Sequence, residues 1–117
     1  MRDFRKYDFW IDSVNFAKDI YLMTNTFPRY DALSGQIQRS AVSISSNIAE
    51  GSSRESEADF ARFLEIALGS AYEAESQLEI ARLISYIDEA KYQELRELLQ
   101  SIERRIASFI KTLRKKS

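Results

Sequence analysis

The 117-residue sequence contains neither cysteine nor histidine. Without cysteine, disulfide bonds and thiolate chemistry are excluded, which fits a reducing compartment such as the cytoplasm. Without histidine, the chain lacks the commonest general base and the commonest metal ligand of proteins. We therefore predict that the protein is not an enzyme, with no catalytic residues, no metal site and no cofactor.

Proline, glycine and long hydrophobic runs are also scarce. One proline and three glycines argue against a turn-rich β fold. The longest uncharged runs are about ten residues, half of what a membrane span needs. Charged residues are scattered through the first ten positions, where an export signal would need an apolar core. We expect a cytoplasmic chain with no membrane partner.

Four amphipathic segments follow one another along the chain, at about residues 8–26, 32–50, 56–85 and 88–114. In each, apolar residues recur at steps of three and four, the period of a helix with one buried face. Pro28 ends the first segment, and Gly51 stands where a left-handed residue would end the second. Candidate N-caps are Asp31 or Ser34, Ser53 or Ser56, and Asp88. The pattern predicts one all-α domain over residues 1–117, an antiparallel up-down-up-down four-helix bundle.

The second segment has no charged residue between Ser40 and Ala49. Small and polar side chains stand there instead, which indicates a helix covered on more than one side. The first segment carries two adjacent apolar stripes, and Gly69, which costs about 1 kcal/mol in mid-helix, suggests a close helix crossing. We therefore predict a homo-oligomer. Its candidate interface residues are Phe9, Phe16, Ile20, Ser40, Val42, Ser43, Asn47, Gly69 and Ser70.

The charge is unevenly distributed although the net charge is only −1. Six bases and no acids lie between Arg104 and the end, and the start of the first helix would lie at the same end of an up-down bundle. Such a surface attracts phosphate backbones of RNA or DNA. The candidate nucleic-acid-binding residues are Arg2, Arg5, Lys6, Arg104, Arg105, Lys111, Arg114, Lys115 and Lys116. The outer face of the last helix, including Glu97 and Glu103, is interpreted as an ordinary solvated face.

Two observations favour an alternative in which nucleic acid is not bound. Bases near a helix C-terminus are stabilised by the helix dipole whatever the function. Acids at the start of the third helix, Glu55 and Glu57, would lie at the same end and could neutralise them. In this alternative the protein is an interaction adaptor, a ring that binds a partner enzyme.

Several motifs carry a family resemblance. Gln36–Arg39, Ala41–Ile44, Asn47–Gly51 and Phe60–Ala67 are similar to segments of a bacterial four-helix bundle family. The family is named after proteins encoded by intervening sequences in large-subunit ribosomal RNA genes, and is also labelled ribosomal protein of the S23 type. The similarity covers roughly residues 8–87, with Ser85-Tyr86 where a Gly-Tyr turn is usual.

The resemblance implies a homopentamer without known enzymatic activity. From the basic residues we predict a nucleic-acid-associated accessory role, with ribosomal RNA as one candidate ligand; the family's ribosomal label reflects gene location. A related branch, the accessory proteins of diversity-generating retroelements, engages a reverse transcriptase and nucleic acid, so a reverse transcriptase is a candidate partner enzyme for the adaptor alternative.

Overall fold

The computed structural model describes residues 2–116, and these form four α-helices and no strand. A short 3-10 turn at Phe4–Lys6 precedes α1 (Asp8–Thr24), α2 (Ala32–Ser52), α3 (Glu57–Leu83) and α4 (Glu89–Lys116). The prediction of an all-helical chain with four helices is confirmed. The helix boundaries lie within two residues of the predicted ones.

Side-chain caps begin three of the helices. The N–H of Leu33 donates to the carboxylate of Asp31 at 2.7 Å, and the N–H of Asp59 donates to Ser56 Oγ at 3.0 Å. At the start of α4, the N–H of Lys91 donates to Asp88 at 2.8 Å. Each cap satisfies a backbone donor that the first helical turn leaves without a partner.

Gly51 has a different role from the predicted one. No glycine of the described residues has a positive φ, and α2 continues through Gly51 to Ser52. A Cβ atom at position 51 would lie 2.6 Å from Phe63 Cβ and 3.0 Å from a ring carbon of Phe60. The glycine is therefore required by the close approach of α3 to the end of α2, and not by a left-handed helix end.

The end of α3 does use a left-handed residue, Ser85, with φ of 64°. The N–H of Tyr86 donates to the Ala81 carbonyl at 2.9 Å, and the N–H of Ser85 donates to the Arg82 carbonyl at 3.0 Å. These two bonds form the Schellman arrangement, which normally places glycine at this position.

The core lies between the four helices. Helices α1 and α3 each pack against both α2 and α4. The largest fully buried side chains are Phe16, Ile20, Ile37, Ile44, Ile48, Phe60, Leu64, Leu78, Leu95, Leu99, Ile102 and Ile106. At one end of the molecule, the ring of Tyr7 lies 5.3 Å from that of Phe109. At the other, Phe27 packs 4.8 Å from Tyr86, so the loop after α1 contacts the loop after α3.

Candidate nucleic-acid interface and outer surfaces

Arg2 and Arg5, both predicted to bind nucleic acid, are engaged within the chain. The guanidinium of Arg2 donates to the Arg54 carbonyl and to the carboxylate of Glu57, and lies 4.8 Å from the centre of the Phe60 ring. Arg2 therefore ties the N-terminal segment to the loop between α2 and α3. Arg5 is exposed and pairs with Asp3 at 3.1 Å, where it also lowers the pKa of that carboxyl.

Arg105 and Arg114 also have carboxylate partners. Arg105 Nη2 lies 2.6 Å from Asp12 Oδ2 and its Nη1 lies 3.4 Å from Asp8 Oδ2, so this side chain holds α4 against α1. Arg114 donates to Glu65 on α3 at 2.7 Å. The charges of both arginines are balanced inside the chain, and their first role is structural.

The other five predicted bases, Lys6, Arg104, Lys111, Lys115 and Lys116, are exposed. None of them forms a salt bridge within residues 2–116. Arg104, Lys111 and Lys115 stand at i, i+7 and i+11 on α4, which places them on one face of the helix, about 10 Å and 6 Å apart along its axis. We call these three residues the basic stripe.

The prediction of an interface role is wrong for three residues of α1. Phe9, Phe16 and Ile20 have 5%, 0% and 0% of their surface exposed in the single chain. The stripe of α1 that carries these three residues is buried because α1 packs on α2 and α4. The neighbouring stripe, with Val14 and Tyr21, stays exposed.

The Ser and Asn residues of α2 pack largely against α3. Ser40, only 4% exposed, donates to Glu73 at 2.9 Å, and the hydroxyls of Ser43 and Ser70 are hydrogen-bonded at 2.8 Å. Asn47 donates back to the Ser43 carbonyl at 2.8 Å. Contact with α3 thus accounts for Ser40 and Ser43 within one chain, while Val42 and Ser46 of the same charge-free run stay exposed. For Ser40 in particular, the predicted interface role is wrong.

Val42 and Gly69 remain accessible, and the predicted helix crossing at Gly69 is absent from the single chain. A Cβ atom at position 69 would have no neighbour within 4 Å. Gly69 belongs to the outer face of α3, which exposes Ile66, Tyr72, Ile80 and Leu83. The outer face of α1 similarly exposes Ile11, Val14, Tyr21 and Leu22. We call these two sets the α1 outer face and the α3 outer face.

A cleft between α3 and α4 contains a buried carboxyl group that sequence reasoning placed on the solvated face. Glu103 is 8% exposed, and its Oε2 atom has no hydrogen-bond partner in the described part of the chain. Burial, together with the neighbouring carboxyl of Glu75, raises the pKa of Glu103 to about 8. The sequence contained a signal for this burial, because Leu99, Glu103 and Ile106 follow the steps of four and three residues at which the buried side chains of α4 repeat.

None of the helices described between residues 2 and 116 is both long enough and apolar enough to cross a membrane. Within the same residues, no group of three or more His, Cys, Asp or Glu side chains could hold a metal ion.

These features define an all-helical protein of four helices with charged and apolar outer surfaces. The chain belongs to the 23S rRNA-intervening sequence protein family, whose family model matches residues 5–108. The resemblance predicted from the motifs is confirmed.

A solved structure supports the same assignment. It is the crystal structure of a protein with unknown function from the S23 ribosomal protein family of Bacteroides thetaiotaomicron, and it superposes on this chain with a TM-score of 0.82. The two sequences are 33% identical, and the match covers 88% of this chain and 98% of that chain. Among curated proteins, none matches this chain.

Proposed function

We propose that this protein is a non-enzymatic, self-associating helical bundle that binds nucleic-acid backbone through the basic stripe of α4. The observation that carries the proposal is the set of exposed cations on one face, Arg104, Lys111 and Lys115, none of which has a carboxylate partner within residues 2–116. A binding role suits a chain without histidine or cysteine.

The proposed topology is antiparallel, up-down-up-down. Contacts at both ends support it, since the segment before α1 lies beside the last turns of α4, and the loops after α1 and α3 touch. Arg2 also reaches Glu57 at the start of α3. In this topology the N-terminal bases lie beside the last turns of α4, so Lys6 adds to the charge there.

The proposed assembly is a ring of identical chains. The α1 and α3 outer faces belong to helices that do not pack on each other within residues 2–116, because each lies between α2 and α4. Contact between the α1 face of one copy and the α3 face of the next joins two different surfaces, and such head-to-tail contacts form a ring when the rotation between copies closes. The family resemblance gives five copies, so light scattering should find five times the 13.6 kDa chain mass.

A ring multiplies the effect of the basic stripe. Each copy carries the same exposed cations, so several stripes engage one nucleic acid and their weak contacts combine. This is how a chain with a net charge of −1 could still bind a polyanion. Binding of this kind is independent of sequence and weakens steeply with salt.

Charge reversal tests the role of the stripe. The variant Arg104→Glu/Lys111→Glu/Lys115→Glu should bind a structured RNA and a DNA duplex at least about 100-fold more weakly than the wild type at low salt, because it removes three phosphate contacts per copy. Fluorescence anisotropy measures both. Arg105 is left intact, since its loss would release α1 from α4.

The matched control reverses three exposed bases elsewhere, Arg29, Arg39 and Lys91, and so has the same net charge. It should bind close to the wild type. Equal weakening of both variants would show a net-charge effect and reject the stripe as the binding surface. Absence of binding by the wild type would reject the nucleic-acid role itself.

A second candidate is the adaptor ring that binds a partner enzyme such as a reverse transcriptase. The specific observation in its favour is the exposure of apolar side chains in the loops after α1 and α3, where Tyr30 is 93% and Ile84 is 48% exposed. An apolar interface is insensitive to salt, unlike phosphate binding. Calorimetric titration of the purified partner enzyme into this protein, at low and at high salt, separates the two candidate functions. Only the adaptor hypothesis predicts the same affinity at both salt concentrations.

A further inference from the structure

The cleft between α3 and α4 has a volume of about 590 Å³ and an excess of negative groups. The charged and titratable groups facing it are Tyr72, Glu75 and Glu79 on α3, and Tyr92, Arg96 and Glu103 on α4. Arg104, next to Glu103 on α4, contributes a further positive charge nearby. The cleft opens beside the α3 outer face, because Tyr72 belongs to both.

The existing cations serve the other two carboxylates. Glu75 Oε2 lies 3.9 Å from Arg96 and accepts from Gln100 at 3.3 Å, while Glu79 is paired with Arg82. Glu103 forms no salt bridge and its Oε2 has no donor, so within residues 2–116 its protonated carboxyl interacts chiefly with the neighbouring Glu75 carboxyl. A buried carboxyl in that position must keep a proton or receive a cation from outside the chain.

Lys18 on α1 is a cation without a carboxylate partner in residues 2–116. It is exposed and forms no salt bridge or hydrogen bond within the described chain, although Asp19 is its neighbour in sequence. Its position on α1 is in the middle of the exposed apolar side chains Ile11, Val14 and Tyr21. If that face is covered by another copy, the ammonium group loses water and needs a carboxylate in the covering surface.

We propose that Lys18 of one copy enters the cleft between α3 and α4 of the next copy and donates to the carboxylate of Glu103. The inference rests on the proposed contact between the α1 and α3 outer faces. It identifies Lys18 and Glu103 as the pair that sets the register of that contact, since Lys18 is a cation without a salt bridge and Glu103 is a buried carboxyl without a cation on the two surfaces that meet.

The pairing links assembly to pH. In the separate chain, burial and the Glu75 carboxyl hold the pKa of Glu103 at about 8, so Glu103 is protonated at neutral pH. Pairing with Lys18 requires the ionised carboxylate, so assembly releases a proton. The affinity between copies should therefore rise with pH, by at most about tenfold per unit below pH 8, and level off above it.

Sedimentation of the full chain and of Lys18→Met, Glu103→Gln and the double variant, at pH values from 6 to 9, tests the pair. At pH 9 each single variant should dissociate about 30-fold more readily, as expected when one member of a buried pair is lost. The double variant should be no weaker than the weaker single variant, and none of the three should gain affinity as the pH rises. The control variants Arg29→Met and Glu97→Gln should assemble as the wild type does.

The outcomes separate this inference from the assembly it rests on. A wild type that assembles, with variants whose effects are absent or simply additive, overturns the pair and leaves the ring intact. A wild type that is monomeric at every pH overturns both. Should Glu103→Gln lose helical signal in circular dichroism, Glu75→Gln replaces it: the pH dependence of assembly must then move to lower pH, and an unchanged profile contradicts the inference.

Discussion

Ser85 shows how one residue departs from the conformation its type prefers. Its φ of 64° is a left-handed value, which costs an L-amino acid with a Cβ roughly 1–2 kcal/mol. The two backbone hydrogen bonds that close the end of α3 compensate for this cost.

Replacing Ser85 by glycine should therefore stabilise the chain. We expect Ser85→Gly to raise the free energy of unfolding by about 1 kcal/mol, because glycine adopts the left-handed region without the Cβ penalty but loses more entropy on folding. Urea unfolding followed by circular dichroism measures the change. Ser53→Gly is the control, since Ser53 ends α2 with φ of −80° and should gain nothing; equal gains at both positions would contradict the explanation.

Gly51 and Gly69 provide a matched pair at the residue scale. Gly51→Ala should destabilise the chain by about 1–3 kcal/mol, because its Cβ would meet the Cβ of Phe63, which cannot move without its backbone. Gly69→Ala should stabilise it by up to about 1 kcal/mol, because the site is open and alanine favours a helix. Thermal unfolding at one protein concentration compares the two, and the same sign for both would reject the packing argument.

At the scale of elements, the hydroxyl of Tyr86 links the loop after α3 to the cap of α2. It donates to Asp31 Oδ2 at 2.6 Å, and this bond lowers the pKa of Asp31 and raises that of Tyr86. A carboxyl whose pKa is lower in the folded chain adds stability above its unfolded value, and that stability is lost as the pH falls.

Tyr86→Phe should therefore lower the melting temperature at neutral pH, and its difference from the wild type should shrink as the pH falls below the ordinary aspartate value of 3.8. Calorimetric melting curves at several pH values check this. Tyr30→Phe serves as the control, because Tyr30 is 93% exposed. A difference that is constant with pH would show that Tyr86 acts through packing alone.

Periodicity predicted the number of helices and the residues that cap them, because both depend on local sequence. It did not predict which stripe of α1 faces inward, since Ile20 and Phe27 on one stripe repeat at the same spacing as Val14 and Tyr21 on the other. It also placed Glu103 on the solvated face, where a charged residue normally lies. Ion pairs across helices, such as Arg105 with Asp12, depend on how the helices pack, and the sequence pattern does not reveal them. Arg105 was therefore included among the candidate nucleic-acid-binding residues.

At the scale of the whole molecule, the structure divides the basic residues by role. Arg2, Arg105 and Arg114 hold elements together, while Arg104, Lys111 and Lys115 remain on the surface. Under the proposed assembly, a nearly neutral chain would bind a polyanion because the exposed cations lie on one face and the ring would repeat that face. The same assembly would cover the apolar outer faces of α1 and α3.

The salt dependence of RNA binding tests the central claim most directly. The slope of log binding constant against log salt should be shallower for Arg104→Glu/Lys111→Glu/Lys115→Glu than for the wild type by about 3 for each stripe that contacts the RNA. The control variant at Arg29, Arg39 and Lys91 should keep the wild-type slope. Equal slopes for the wild type and the stripe variant would contradict the claim that these three residues contact phosphates.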